Sequence, residues 1–134
     1  MYWAGDRIGK ERLKGAYAFK DLLNKYGSVA LGTDFPVEQV SPFLTFSAAA
    51  TRQDIEGYPE GGFQMENVLS REETLRGMTI WAAHSNFEEN EKGSIEVGKF
   101  ADFVILNQNI MEVEGNKIHK TKVIATYLNG EKVY

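Results

Sequence analysis

The chain has 134 residues, 43% of them hydrophobic and 25% charged, with three prolines, no cysteine and a formal net charge of −4. This is the expected profile of an ordinary water-borne globular unit of about one domain. It excludes collagen-like, disulfide-stapled and wholly disordered chains, and no apolar run approaches the roughly 18 residues that a bilayer span requires, so no membrane partner is expected.

The acidic balance, with Lys and Arg dispersed rather than striped, argues against a nucleic-acid partner, and the lack of cysteine removes cysteine-type zinc sites. Met1-Tyr2-Trp3-Ala4-Gly5-Asp6 has neither a basic nor an apolar signal region, so no secretion signal is expected and cytoplasm is the default compartment; whether Met1 is a natural start is left open.

From Glu11 to about Tyr26 the apolar side chains predict an amphipathic helix, with Leu13, Ala16 and Tyr17 on one side and Phe19, Leu22, Leu23 and Tyr26 repeating at i, i+3, i+4, i+7. Gly27 ends it. Ser28 to Thr33 is a short apolar run closed by small and polar residues, which suits a strand buried on both faces in a parallel sheet. Asp34-Phe35-Pro36-Val37-Glu38 reads as a loop, and Ser41-Pro42 as the N-cap and first-turn proline of a helix burying Phe43, Phe46, Ser47 and Ala50.

Between Arg52 and Leu69 the periodicity lapses around Gly57, Pro59, Gly61 and Gly62, as in a long loop serving as a lid or left disordered. Ser70-Arg71-Glu72-Glu73 matches a capping box and opens a helix with Leu75, Met78, Thr79 and Ala82 on its buried face; Gly77 within it marks a close packing contact.

After Asn86 everything reads as strand and turn: a strand at Asp102 to Leu106, then a hairpin of Val123 to Leu128 and Glu131 to Tyr134 about Asn129-Gly130. Glu114-Gly115-Asn116-Lys117 suggests a second, shorter hairpin turn. The chain is thus α/β to about residue 86 and β beyond it, and both parts look incomplete, because a strand buried on two faces needs neighbours that this chain does not supply.

Chemistry is expected where the buried strand ends, since ligands in α/β sheets and barrels gather at the carboxyl ends of strands. Asp34 stands there, fit to ligate a divalent metal or to act as a general base; the plainer alternative is a carboxylate that caps its own turn. His84 and His119 are the only histidines, and with Asp34 they would make a two-histidine, one-carboxylate set on ligand count. Neither has the spacing that brings ligands together: His84 falls in a last helical turn, where an imidazolium complements the dipole, and His119 in a charged β segment. Tyr58, Phe63 and Trp81 could line a cleft or simply fill a core. Gly93 to Lys99 lacks the phosphate-loop pattern and reads as a turn, and no nucleophilic serine or cysteine motif occurs.

Three blocks in this order, Leu31-Gly32-Thr33-Asp34-Phe35-Pro36-Val37-Glu38, Ser70-Arg71-Glu72-Glu73-Thr74-Leu75-Arg76, and Gly93-Ser94-Ile95-Glu96-Val97-Gly98-Lys99-Phe100-Ala101-Asp102-Phe103-Val104-Ile105-Leu106, resemble the C-terminal end of metal-dependent amidohydrolases. The branch they look like is amidohydrolase family 3, and Arg7 to Arg12 and Gly15 to Phe19 fit it too.

The resemblance implies the last part of a TIM-type (β/α)₈ barrel over residues 1–86 and C-terminal strands of a composite β-sandwich over residues 87–134. It implies Asp34 as a metal ligand and base, with zinc the leading candidate among divalent metals in the parent and the fragment possibly holding none. The family's His-x-His and its further ligands have no counterpart here. Because such a barrel takes about 250 residues, the chain is expected to be a C-terminal fragment, inactive alone, whose partners are the missing N-terminal part of the barrel and a small-molecule amide substrate. The competing expectation is a non-catalytic binding or assembly module that pairs with itself or with a partner through exposed strand edges.

Overall fold

The computed structural model describes residues 4–134; the Met1-Tyr2-Trp3 portion of the N-terminus, considered above for a signal, lies outside them. The predicted first helix is two helices, α1 (Ala4–Leu13, interrupted at Gly9) and α2 (Phe19–Tyr26), separated by a turn in which Tyr17 takes φ 59°. The break is stabilised from far along the chain. Gln64 Nε2 donates to the Leu13 carbonyl at 2.7 Å, closing the end of α1. Asn67, 2% exposed, accepts from the backbone N–H groups of Lys20 and Asp21 at 3.2 and 3.3 Å, supplying the N-terminal cap that Ala18 cannot. Gly27 stops α2 as expected, at φ 80° with its N–H bonded to Leu23 O.

The run from Ser28 to Thr33 forms no strand, which corrects the buried-strand expectation. A strand exists only through its ladder, and no described segment pairs with this one. It lies instead against α4 (Arg71–Met78): Leu31 N–H donates to Gly77 O at 2.9 Å, and a Cβ built on Gly77 would stand 2.8 Å from Leu31 Cγ and 2.9 Å from Val29 O. The packing contact inferred at Gly77 is therefore present. In an exposed helix Gly→Ala would stabilise by about 1 kcal/mol; here Gly77→Ala is expected to destabilise by about 1–3 kcal/mol through overpacking. A urea midpoint that rose instead would show that Val29–Leu31 does not rest on this helix.

The helix expected after Ser41 is α3 (Pro42–Thr51), with Pro42 at its start and Phe46 and Ser47 buried. The capping box is complete: Glu73 N–H donates to Ser70 Oγ at 3.1 Å and Ser70 N–H to Glu73 Oε2 at 2.8 Å. Thr79 (φ −128°, ψ −95°) separates α4 from α5 (Ile80–Ser85), and its hydroxyl donates to Leu75 O at 2.7 Å, a back-bond that bends helices. The buried positions of α4 are Thr74 and Gly77, whereas the predicted face residues Leu75 and Thr79 are exposed. Leu75, Met78, Thr79 and Ala82 border an open groove of about 1070 Å³, with Phe103 and Leu128 on its far side. No described residue fills it, which is why the face predicted to be buried is not.

Glu73 also accepts an ion-paired hydrogen bond from Lys20, joining α4 to α2. That bond, then the Ser70 N–H and hydroxyl, hold the Glu73 carboxyl below its ordinary range against the opposing effect of burial. A carboxylate depressed in the folded state stabilises above its unfolded pKa and loses that contribution as pH falls through the folded value. Lys20→Met is accordingly expected to cost on the order of 1 kcal/mol or less at neutral pH, and to flatten the loss of stability on acidification below the glutamate range, as read by urea unfolding against pH.

The sheet is β1 (Phe103–Leu106), β2 (Val123–Leu128) and β3 (Glu131–Lys132), antiparallel in the order β1-β2-β3. Phe103 faces Tyr127 with rings stacked 4.6 Å apart, and the register shifts between Ile105 and Leu106. Asn129 and Gly130 take φ 50° and 81°, the two positive angles expected of this hairpin turn. Asn129 N–H donates to Asp102 Oδ1 at 2.7 Å, so Asp102 caps the turn rather than extending β1. Glu114-Gly115-Asn116-Lys117 is not a hairpin: Gly115–Lys120 is a 3₁₀ helix packed on α3, its Ile118 fully buried, and His119 lies on it rather than on a strand.

Candidate functional site

The Asp34 turn leaves the end of the segment that packs on Gly77. Val37 N–H donates to Asp34 O at 2.8 Å and closes the turn, while Phe35 N–H donates to Thr33 Oγ1 at 3.2 Å. Asp34 sits at φ 53°, in the left-handed region, which costs an L-residue about 1–2 kcal/mol and which Asp tolerates better than most. Asp usually enters this region by bonding its side chain to nearby N–H groups. Here the carboxylate makes no hydrogen bond or ion pair with any described residue, and it is exposed. The turn-capping alternative for Asp34 is therefore not what the structure has; the local side-chain acceptor is Thr33. Phe35, Val37 and Val40, 64%, 76% and 68% exposed, carry an apolar surface onward from the carboxylate.

The histidines are placed elsewhere. His84, in the last turn of α5, points Nδ1 at Glu89 Oε1 at 3.4 Å. Glu89 lies below the ordinary glutamate range, first through its own backbone N–H and then through His84 and Lys99. Among the described residues no three His, Asp or Glu side chains are grouped so as to hold a metal, so Asp34, His84 and His119 do not form the ligand set that their number allowed. Asp34 offers a single carboxylate, and a metal held there would need its other ligands from outside the described residues.

The long loop is tied together where it starts and where it returns. Arg52, 7% exposed, donates from Nε to Phe63 O at 2.8 Å and from Nη2 to Gln64 Oε1 at 3.3 Å, and its guanidinium lies 5.9 and 5.5 Å from the ring centres of Phe19 and Phe63. Burial pushes its pKa down from the ordinary value, with Glu66 opposing. Phe63 also meets Tyr17 edge to face at 6.1 Å, a core role, while Tyr58 is 59% exposed at the loop tip. Gly93 to Lys99 is a turn, as expected, in which Lys99 Nζ donates to Ser94 Oγ at 2.6 Å. Sequence reasoning missed Arg71: its guanidinium donates to the carbonyls of Ile110 and Val113 at 2.9 and 2.5 Å, tying α4 to the segment before the 3₁₀ helix. An arginine beside a capping serine gave no local signal of that remote pairing.

Among the described residues no helix is long and apolar enough to cross a membrane. Against known proteins, a family model described as "Amidohydrolase family" matches residues 1–134. The chain is 30% identical over 132 residues to "Putative amidohydrolase YtcJ" of Bacillus subtilis (strain 168), covering 98% of this chain and 25% of that protein. It is 35% identical over 129 residues to "Protein LONG AFTER FAR-RED 3" of Arabidopsis thaliana, covering 96% and 22%. It is 28% identical over 128 residues to "N-substituted formamide deformylase" of Arthrobacter pascens, again covering 96% and 22%. A crystal structure of an amidohydrolase from Thermotoga maritima MSB8 superposes with TM-score 0.64 at 23% identity, over 88% of this chain and 26% of that one. The chain thus spans about a quarter of the length of the relatives it matches.

Proposed function

The chain belongs to the amidohydrolase family and has a mixed helix-and-strand amidohydrolase fold, and from that premise we propose that it is the C-terminal part of a metal-dependent hydrolase of C–N bonds in non-peptide or cyclic amides. Residues 1–86 are then the end of a TIM-type barrel and residues 87–134 the closing strands of a composite β-sandwich, with Arg71 bonding across the division. The exposed surface favours this reading. It amounts to 9304 Å², whereas a compact monomer of 15.1 kDa exposes about 7,100 Å². The groove beside α4 and α5 and the apolar surface after Asp34 are where further polypeptide of the barrel and sandwich would pack.

The observation that carries the chemistry is the Asp34 carboxylate, presented from a left-handed turn with no described partner. A divalent metal such as zinc, if bound, would lower the pKa of a water and polarise the substrate carbonyl. Asp34 serves as one ligand and as the base that takes the proton of the attacking water and passes it to the leaving nitrogen. The likeness to a protein named N-substituted formamide deformylase favours a substrate with a substituted amide nitrogen.

The test uses the full-length polypeptide. Release of amine from an N-substituted amide is expected to stop on chelation and return with zinc, while the 134-residue chain alone stays inactive. Metal-dependent hydrolysis by the isolated chain, abolished by Asp34→Asn, would overturn the fragment reading.

A second reading, a non-catalytic assembly module, draws on the outer edge of β1, where Val104 and Ile105 are 50% and 44% exposed and no described strand pairs. It expects the full-length polypeptide to be inactive with or without zinc, and to associate through that edge.

A further inference from the structure

We infer that Asn129 is a site of spontaneous deamidation, held in check by the two residues that lead into β1. Asn129 is the chain's one asparagine followed by glycine, and it stands exposed at the tip of the β2–β3 hairpin. Its side-chain amide makes no hydrogen bond with any described residue. Gly130 has no Cβ to obstruct the approach of its own nitrogen to that side chain. The reaction needs no catalyst. The Gly130 nitrogen gives up its proton and bonds to Asn129 Cγ, the Cγ–Nδ2 bond breaks, and Nδ2 leaves as ammonia, closing a cyclic imide. Water then opens the imide at one carbonyl or the other and leaves aspartate or isoaspartate.

What restrains the first step lies on the other side of the sheet's end. Gly130 N–H donates to Ala101 O at 3.0 Å, so the attacking nitrogen is already engaged. Asn129 N–H donates to Asp102 Oδ1 at 2.7 Å, which fixes the backbone on the near side of Cγ. Cyclisation therefore waits on opening of the bond to Ala101. All four residues are exposed, so these bonds open more readily than those inside the sheet. The product sets a new carboxylate beside that of Asp102, and isoaspartate adds a methylene to the main chain of a turn that depends on its two positive φ angles. Asp102, Phe103 and Leu128 border the groove beside α4 and α5, so the modification weakens the hairpin that forms one wall of it.

In the test, the full-length polypeptide is incubated at mildly alkaline pH, and the peptide carrying residues 129–130 is followed by mass spectrometry for the single-unit mass gain and the separate elution of isoaspartate. Folded wild type is expected to convert about tenfold or more slowly than the same polypeptide unfolded in guanidinium chloride. Asp102→Ala, shown to be folded by a thermal melt, is expected to convert about tenfold faster than folded wild type, the factor that loss of one charge-assisted hydrogen bond carries. Asp102→Asn keeps an acceptor oxygen and should convert more slowly than Asp102→Ala. Equal rates in folded and unfolded wild type would overturn the restraint, and that comparison stands even if Asp102→Ala fails to fold. A folded Asp102→Ala that converts no faster than wild type would overturn the part given to Asp102, and an Asn129 that stays intact even when unfolded would overturn the site itself.

Discussion

Asp34→Asn in the full-length polypeptide is expected to lower kcat by about 10²–10⁴-fold, the span that a positioned general base contributes. Asparagine is close in shape and, like aspartate, tolerates the left-handed φ of 53° found here, so the turn should persist. Because the carboxylate is exposed and bonds no described residue, stability should change by no more than about 0.5 kcal/mol. Asp34→Ala would add backbone strain to the chemical loss and separate the two effects less cleanly. Steady-state kinetics beside a thermal melt check the expectation; a folded Asp34→Asn protein with wild-type kcat would remove Asp34 from the mechanism.

Arg52→Ala is expected to produce the largest loss of stability, about 3 kcal/mol. Charge-assisted bonds of the kind it makes to Phe63 O and Gln64 Oε1 contribute about 1.5–3 kcal/mol each, and cation–ring contacts such as those over Phe19 and Phe63 about 0.5–2 kcal/mol. These sums overlap rather than add. Lysine cannot reproduce the planar fork, so Arg52→Lys should recover less than half of the loss. Limited proteolysis should report the same change as cleavage between residues 53 and 64, because Arg52 anchors both the start of the loop and its return at Phe63, whose N–H donates to Arg52 O at 2.9 Å. Unchanged cleavage and an unchanged urea midpoint would show that the loop is held by other contacts.

What could be read from the sequence was whatever depends on neighbours within about four residues. Ser70 and Glu73 cap each other across three positions, Pro42 opens α3, Gly27 closes α2, and Asn129-Gly130 turns the hairpin. What failed depends on distant partners. The helix expected from Glu11 to Tyr26 divides where Gln64 and Asn67, about fifty residues away, satisfy its exposed backbone groups. The loop read as a lid or a disordered segment is pinned by an arginine whose neighbours in sequence give no hint of Phe19. The Ser28 to Thr33 run had the composition of a buried strand and no partner strand; none of its residues is fully buried, and Leu31 packs on Gly77 instead of in a sheet. At the site, residue type and position singled out Asp34; the Thr33 bond and the positive φ needed coordinates.

On this reading the Asp34 carboxylate faces a metal within a barrel completed by polypeptide outside the 134 residues. A crystal structure of the zinc-loaded full-length polypeptide tests it most directly. An Asp34 carboxylate oxygen is expected about 2.0–2.2 Å from the ion, with the remaining ligands supplied by upstream residues. A metal centre complete without Asp34, whose side chain still faced bulk water, would contradict it.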